Sequence, residues 1–471
     1  MNATFDMIQS DRFDREPRWV PSVFGGKLNA RKNRRAWRNR SAWRNLSVGL
    51  FAAIIAIAWT TQVAAQKAPE RQYTEISGSG QSLYRIAIPP ALSLGAMGSK
   101  PQTLTSVLAN DLKLIGLFKL LDRRGYLANL KAEGVSLVPK DWINVGAQAV
   151  VKCRVVRLGR KIQVEWLLYE PGSKGTNAVL HKSYTGRSPR RLAHRFANDI
   201  VRYYTKRTGP FLSRIVFASG NPARRRSQVY MMDYDGHSVA RISRTGALNV
   251  LPALGPSGRV AWTSFLWRNP DLYVGGPGRR ARRISRRQGL NTGAAFSPNG
   301  KEIALTMSKD GNAEIYVVNL EGTIVRRLTN NPGIDTSPTW SPDGGRIAFV
   351  SNRGGAPQIY VMSAAGGGAK RLTFTGSYNQ EPSWCPRGAT PKIAFTARDD
   401  KGAYDVFTIN AGGGGLKRLT QGQGNNNSPS WSPDGRLIVF ASNRGGLWVM
   451  NTDGLNQHRV SKFGQTPSWS R

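Results

Sequence analysis

The sequence is poor in cysteine and histidine, and each shortage excludes a class of protein. Two cysteines, Cys153 and Cys385, in a chain of 471 residues cannot build a disulfide framework, so we interpret them as free thiols. The four histidines form no His-Glu-x-x-His motif or other spaced ligand set, and no serine stands in a Gly-x-Ser-x-Gly motif. The sequence therefore predicts a protein that is not an enzyme, that needs no cofactor and that has no metal-ligand motif.

Acidic residues are also few. The chain has 28 Asp and Glu against 68 Lys and Arg, a formal net charge of +40. Residues 1–65 hold 11 basic and 4 acidic residues, a net +7, which leaves +33 for the remainder. The arginines cluster in loops without a basic helix or an aromatic-rich RNA-binding motif, so we expect no nucleic-acid partner. Two interpretations stay open, a solvated basic surface and a salt-sensitive attraction to peptidoglycan or anionic lipid.

Near the N-terminus, the apolar run at residues 46–58 has 13 residues, fewer than the roughly 20 that a spanning helix needs. A basic stretch precedes the run, and the small-residue site Val63-Ala64-Ala65 follows it. This order is typical of a secretory signal peptide. We predict that residues 1–65 form a basic region and signal peptide cleaved between Ala65 and Gln66, with a flexible arm over residues 66–76. An uncleaved membrane anchor is the alternative.

The second half of the chain repeats one phrase of about 44 residues. The clearest copy has the turn Ser341-Pro342-Asp343-Gly344, two apolar strands at residues 347–350 and 359–362, and Arg371-Leu372-Thr373. Serine, proline and glycine occupy the positions that a type I turn favours. The arginine of the third element recurs at steps of 42, 44, 44, 47 and 41 residues, at Arg241, Arg283, Arg327, Arg371, Arg418 and Arg459. A repeat of this length built from short strands predicts a β-propeller of six blades over residues 211–471.

The two ends of the repeat region are unequal. No Pro-x-Trp strand precedes the first blade at residues 211–217, whereas a spare copy of that strand follows the last blade at residues 466–470. We predict that this C-terminal strand completes the first blade, because closure would remove an exposed sheet edge.

Residues 77–208 lack the repeat and mix the two kinds of periodicity. Apolar residues at helical spacing occur near residues 104–115 and 192–204, and β-rich runs occur at residues 147–156 and 162–169. This pattern predicts a small α/β domain before the propeller.

Together with the repeat, three segments of the chain resemble the TolB family, the periplasmic propeller proteins of the Tol-Pal system. The segments are residues 108–112 and 118–122 in the small domain and residues 231–236 in the first blade. The resemblance implies a monomeric, non-enzymatic periplasmic protein that binds the peptidoglycan-associated lipoprotein Pal on one face of its propeller. It also implies a role in outer-membrane integrity and in constriction at cell division, and exploitation by imported colicins.

Carried over by position, the resemblance implies a partner-binding surface in the loops of the propeller. Its residues are expected to be Leu290, Asn291, Thr292, Thr329, Asn330, Asp335, Tyr378 and Asn379. Leu290 stands about where the family has a histidine. The arm, with Arg71, Tyr73 and Ile76, would contact a TolA-like protein, but it is too polar for an alternating docking strand, so a plain linker is the alternative.

The alternatives to this function are a glycan-binding or protein-binding propeller and a hydrolase. A secreted propeller could bind an anionic cell-wall glycan or another envelope protein through its basic loops, and such binding would be sensitive to salt. A hydrolase that uses the central channel is disfavoured because no nucleophile set or carboxylate pair is evident. Acidic and amide side chains near Asp335 and Glu381 are expected to line one end of the channel, where they cap turns or hold a cation.

Overall fold

The computed structural model describes residues 83–174, 176–221, 226–388 and 390–470. The predicted signal peptide, its cleavage site and the N-terminal arm, with Ala65, Gln66, Arg71, Tyr73 and Ile76, lie outside the described residues. No helix among the described residues is long and apolar enough to cross a membrane. All described residues belong to one compact unit.

The N-terminal part is a mixed sheet with helices. Its strands are β1 (Tyr84–Ala87), β2 (Leu92–Leu94), β3 (Phe118–Leu120), β4 (Ala149–Leu158), β5 (Lys161–Tyr169) and β6 (Ala178–Gly186). Its helices are α1 (Lys100–Leu114), α2 (Leu130–Glu133), α3 (Pro139–Asn144), α4 (Pro171–Lys174) and α5 (Pro189–Thr205), with a 3-10 turn at Arg123–Gly125. The sheet order is β3-β1-β4-β5-β6, with β2 paired to β4. Strand β1 runs parallel to β3 and β4, and β4, β5 and β6 are antiparallel.

Helix α5 shows how local sequence builds this domain. Ser188 caps its N-terminus by accepting a hydrogen bond from the Arg191 amide, and Pro189 occupies the first turn, where a missing N–H is tolerated. The buried face of α5 packs on the sheet, with the Phe196 ring stacked on Trp166 at a centroid distance of 5.0 Å. The predicted small α/β domain is confirmed.

Within the described residues the rest of the chain forms six four-stranded antiparallel sheets, one per blade. Blade 1 holds β7 (Arg214–Asn221), β8 (Arg226–Asp233), β9 (Ala240–Arg241) and the C-terminal strand β30 (Gln465–Ser470). Blade 2 holds β10 (Asn249–Leu254), β11 (Val260–Trp267), β12 (Asn269–Gly276) and β13 (Arg279–Ser285). Blade 3 holds β14 (Asn291–Phe296), β15 (Glu302–Met307), β16 (Glu314–Asn319) and β17 (Ile324–Arg327).

The remaining blades follow the same order. Blade 4 holds β18 (Asp335–Trp340), β19 (Arg346–Ser351), β20 (Gln358–Ser363) and β21 (Lys370–Arg371). Blade 5 holds β22 (Asn379–Trp384), β23 (Lys392–Arg398), β24 (Tyr404–Asn410) and β25 (Lys417–Arg418). Blade 6 holds β26 (Asn426–Trp431), β27 (Leu437–Ser442), β28 (Leu447–Asn451) and β29 (His458–Ser461). The predicted six-bladed propeller is confirmed.

The ring closes through its C-terminal strand, as predicted. Strand β30 pairs antiparallel with β7, and Trp469 stands opposite Ile215. The Trp469 ring is buried, and its Nε1 donates a hydrogen bond to Ser213 Oγ at 2.7 Å. Blade 1 therefore takes its innermost strand from the far end of the chain.

The repeated turn is held by its own side chains. Ser341 Oγ accepts a hydrogen bond from the Arg346 amide at 2.9 Å and donates one to Asp343 Oδ1 at 2.5 Å. Gly344 has a φ of +73°, a conformation in which glycine is favoured over residues with a Cβ. These contacts explain why the same turn residues recur between the first and second strands of several blades.

Each antiparallel blade places its loops at two ends of the ring. One end, which we call the front face, carries the loops between second and third strands and the loops that lead into each next blade. The other end, the domain face, carries the loops between third and fourth strands. The α/β domain contacts the domain face, where Asn456 Nδ2 donates a hydrogen bond to the Leu114 carbonyl at 3.1 Å.

Candidate functional site

Buried polar side chains link neighbouring blades at the front face. Gln358 Oε1, at the start of β20, accepts hydrogen bonds from Thr373 Oγ1 at 2.7 Å and from Asn379 Nδ2 at 2.8 Å. Thr373 Oγ1 also accepts a bond from the Ile359 amide at 2.9 Å. Thr373 belongs to the Arg-Leu-Thr element of blade 4, whereas Asn379 begins the innermost strand of blade 5. The recurring threonine thus joins two strands of its own blade, and the asparagine joins the next blade to them.

The same link recurs along the ring. Between blades 5 and 6, Asp405 Oδ1 accepts hydrogen bonds from Thr420 Oγ1 at 2.6 Å and Asn426 Nδ2 at 3.3 Å. Between blades 2 and 3, Ser285 Oγ donates to Asn291 Oδ1 at 2.5 Å. Satisfied buried polar groups of this kind fix the position of each strand. We call these contacts the blade links.

Blade 4 carries a charged version of the link. Asp335, at the start of β18, is fully buried and forms an ion pair with Arg353 at 2.7 Å, while Asn331 Nδ2 donates to the same carboxylate at 2.8 Å. Burial raises the pKa of Asp335, although Ser351 and Arg353 act in the opposite direction. The Asp335 carboxylate therefore serves contacts within the propeller.

Most of the residues expected to face a partner belong to these links. All eight lie in front-face loops or at the starts of innermost strands, but five side chains are buried: Asn291, Thr292, Thr329, Asp335 and Asn379. Leu290 and Tyr378 are half-buried, and Asn330 is exposed. The structure therefore brings the eight residues to one end of the ring but leaves three of them with accessible side chains.

Glu381, which was expected to line the channel, also forms hydrogen bonds within the propeller. Glu381 accepts hydrogen bonds from the Ser428 amide at 2.8 Å, from Ser428 Oγ at 2.9 Å and from Thr396 Oγ1 at 2.8 Å. It therefore joins blade 5 to blade 6 in the way a capping group does.

Three exposed aromatic side chains on the front face were not predicted from the sequence. Within the described residues, the exposed Phe and Trp side chains are Trp267, Phe374 and Phe463, with 63%, 74% and 46% of their surface exposed. Arg283 lies 5.5 Å from the centre of the Trp267 ring, and Arg371 lies 5.0 Å from the centre of Phe374. These cations orient the rings without covering them. Departure from the repeat is the signal that could have found them, since the equivalent loop positions of other blades are not aromatic.

An apolar groove of about 400 Å³ begins beside one of these rings. It lies between the end of blade 4 and blade 5, and its walls include Leu372, Phe374, Phe395, Phe407 and Leu416. The ring of Phe374 is the most exposed part of this wall. The groove offers an apolar side chain of a partner a place to bury next to the front face.

A second polar cluster joins the α/β domain to the domain face. His194 Nδ1, on α5, lies 2.8 Å from Asp111 Oδ2, on α1, and Tyr234 of blade 1 donates a hydrogen bond to the other oxygen of Asp111 at 2.5 Å. His194 Nε2 lies 3.7 Å from Asp235 Oδ2, and Arg190 pairs with the same carboxylate. Burial is the main cause that raises the pKa of Asp111 to about 6.

The three residues Asp111, His194 and Asp235 include the ligand types of a divalent metal site. However, the imidazole lies between two carboxylates, and Arg190 already neutralises one of them. The arrangement is that of a hydrogen-bonded contact between domains. We call it the interdomain cluster.

Comparisons with known proteins agree with this architecture. A family model described as the TolB beta propeller domain matches residues 201–471, and one described as the TolB amino-terminal domain matches residues 72–174. The crystal structure of TolB from Acinetobacter baumannii superposes with a TM-score of 0.73 at 27% identity, covering 84% of this chain and 99% of that one.

Curated relatives give closer sequence matches over shorter spans. The Tol-Pal system protein TolB of Desulfosudis oleivorans is 35% identical over 265 residues, which is 54% of this chain and 60% of the relative. The same protein of Anaeromyxobacter dehalogenans is 39% identical over 278 residues, 58% of this chain and 63% of the relative. The alignments thus span less than two thirds of these relatives. Because the propeller model alone matches more than half of the sequence, the chain belongs to the TolB family.

Proposed function

We propose that this chain is a periplasmic, non-enzymatic component of the Tol-Pal envelope system that binds a Pal-like lipoprotein on its front face. The observation that carries the proposal is the placement of the exposed aromatic rings, since Trp267 ends strand β11 at the front face and Phe374 and Phe463 lie in front-face loops. Exposed aromatic side chains are enriched in protein interfaces and dominate their binding energy.

The scaffold beneath these rings supports the same proposal. The blade links hold the starts of the innermost strands with buried hydrogen bonds, such as those from Thr373 and Asn379 to Gln358. A face that is already rigid loses little conformational entropy when a partner docks on it. The accessible members of the expected surface, Leu290, Asn330 and Tyr378, complete the proposed contact with the aromatic rings.

The remaining parts of the proposal concern the wider system. Through Pal the chain would help to keep the outer membrane attached to the cell wall during constriction at division. The N-terminal arm, with Arg71, Tyr73 and Ile76, would contact a TolA-like inner-membrane protein. The support for both statements is membership of the TolB family and the names of the Tol-Pal relatives.

Calorimetric titration with the purified soluble domain of the Pal-like lipoprotein from the same organism tests the front face. Phe374→Ala should weaken binding at least tenfold, because removing an interface anchor costs about 2 kcal/mol or more. The matched control is Leu455→Ala, since Leu455 is 68% exposed in a domain-face loop, and its affinity should match wild type. Equal losses in both variants would overturn the assignment of the face, and no binding by the wild-type chain would overturn the partner.

A further inference from the structure

The outermost strand of blade 2 is longer and more basic than the outermost strands of the other blades. Strand β13 has 7 residues, whereas the outermost strands of the other blades have 2 or 4. Five consecutive residues of β13 are exposed, and four of them are arginines. Beside this strand lies a cleft of about 260 Å³ between blades 2 and 3, whose basic lining consists of Arg259, Arg279, Arg280 and Arg282.

Strand register shows what has changed relative to blade 3. In blade 3, Ala304 pairs with Val317 and Val317 with Arg326. In blade 2, Ala261 pairs with Val274 and Val274 with Arg282. Arg282 therefore occupies the position of Arg326. Arg259 lies two residues before Ala261, as Glu302 lies two residues before Ala304, so Arg259 occupies the position of Glu302.

This exchange removes an ion pair. In blade 3, the guanidinium of Arg326 donates hydrogen bonds of 3.1 and 2.8 Å to the two carboxylate oxygens of Glu302. In blade 2, the same two positions hold Arg259 and Arg282, so like charges replace an opposite pair. Two neighbouring positive charges repel each other unless another group neutralises them.

Few acidic groups among the described residues neutralise the arginines of the cleft. Across the described part of the chain, Arg279, Arg280 and Arg282 have no ion pair, and Arg259 donates a hydrogen bond only to the hydroxyl of Ser257. Glu321 is the one carboxylate in the lining of the cleft.

Other blades treat their basic residues differently. Blades 4 and 5 also have two basic residues at the equivalent positions. In blade 4, Arg346 lies over the Trp384 ring at 5.0 Å, whereas in blade 5 Lys392 and Lys417 have no ion pair among the described residues. The recurring arginine of blade 2 itself, Arg283, pairs with Asp271 at 3.1 Å. Blade 2 differs from both because two further exposed arginines of its longer outer strand, Arg279 and Arg280, line the cleft.

We propose that this cleft binds the phosphate group of a phosphate ester or diphosphate. A phosphate offers several acceptor oxygens and up to two negative charges, and planar guanidinium groups bind such oxyanions through paired hydrogen bonds. The negative charge of the phosphate would relieve the repulsion between Arg259 and Arg282, as the carboxylate of Glu302 neutralises Arg326 in blade 3. The cleft lies on the outer edge of the ring, so the proposal is independent of Pal binding on the front face.

Titration of the full chain with pyrophosphate tests the site. Arg259→Glu rebuilds in blade 2 the ion pair of blade 3, so it should lower pyrophosphate affinity at least tenfold without lowering the melting temperature. The matched control is Lys392→Glu, which makes the same change of two charges at the equivalent position of blade 5 and should leave the affinity within about twofold of wild type. If both variants lose the same affinity, the binding reflects only net charge and the proposal fails.

A second arm distinguishes the source of the phosphate. Sedimentation is measured with phosphatidylglycerol vesicles and with phosphatidylcholine vesicles, with and without pyrophosphate. Binding to the anionic vesicles that pyrophosphate displaces, and that Arg259→Glu lacks, assigns the site to a lipid headgroup. Pyrophosphate affinity that depends on Arg259 without vesicle binding assigns it to a soluble phosphate ester. Absence of measurable pyrophosphate binding by wild type overturns the site itself.

Discussion

The two faces of the propeller bury polar groups in different ways. At the domain face, the side chains of Asp111, His194 and Asp235 are buried because the α/β domain and the propeller cover one another there, and Asp111 and His194 lie outside the repeat. On the front face, groups such as Thr373 and Asn379 become buried because the next blade covers them, and their equivalents recur in blade after blade.

This difference separates scaffold from recognition. A polar residue that recurs at one register position in most blades serves a contact that every blade must make. The aromatic residues that interrupt the pattern, Trp267, Phe374 and Phe463, serve no such contact and stay exposed. On this propeller, repetition therefore marks the residues that hold the ring, and departure from repetition marks the residues that a partner can reach.

Both faces depend on a closed ring, so opening the ring should have the largest effect. Trp469→Ala removes the buried indole of β30 and its hydrogen bond to Ser213, and it should lower the free energy of unfolding by about 3–5 kcal/mol. Trp267→Ala removes an exposed indole, and its cost should stay below about 0.5 kcal/mol. Urea unfolding of both variants measures the difference, and similar costs would show that closure through β30 contributes little.

The interdomain cluster predicts that the stability of the folded chain changes in mild acid. The pKa of Asp111 rises from 3.8 to about 6 in the folded chain, mainly because the carboxyl is fully buried. Well below pH 3.8 the carboxyl is protonated in both the folded and the unfolded chain, and its burial carries no charge penalty. Between about pH 4 and pH 6 the unfolded chain ionises while the folded chain keeps its proton, so about 3 kcal/mol of stability is lost as the pH rises, and no more is lost above about pH 6.

Asp111→Asn removes this titration. The stability of the variant relative to wild type should therefore increase by about 3 kcal/mol between about pH 4 and pH 6.5, measured by urea unfolding at each pH. The groups that face Asp111 are His194, Tyr234 and Asp235, with Arg190 paired to the last. Tyr234→Phe is the opposite control, because the lost hydrogen bond should raise the pKa of Asp111 further and enlarge the effect. Parallel curves for wild type and Asp111→Asn would contradict the prediction.

The fold could be predicted from the sequence because its causes are local. A Ser-Pro-Asp-Gly turn and two apolar strands specify most of a blade, and the unequal ends of the repeat specify the closing strand around Trp469. The eight residues predicted to face a partner lie at one end of the ring, but the depth of each side chain depends on the neighbouring blade. Nothing local in the sequence shows that Asn379 turns toward Gln358, or that Asp111 and Tyr234 meet across 123 positions.

The smallest predicted effect compares a buried and an exposed residue of one loop, Asn379 and Ser377. Asn379→Ala removes one partner of Gln358 Oε1 and the bond to the Thr375 carbonyl, and it should cost about 1–2 kcal/mol of unfolding free energy. Ser377→Ala, an exposed neighbour, should cost less than about 0.5 kcal/mol. Titration with the Pal-like domain, at a temperature where both variants remain folded, should give affinities within about twofold of wild type. A large loss of affinity in Asn379→Ala, with the melting temperature unchanged, would instead place this buried asparagine in the recognition surface and undo the distinction between repeated scaffold and unrepeated contact.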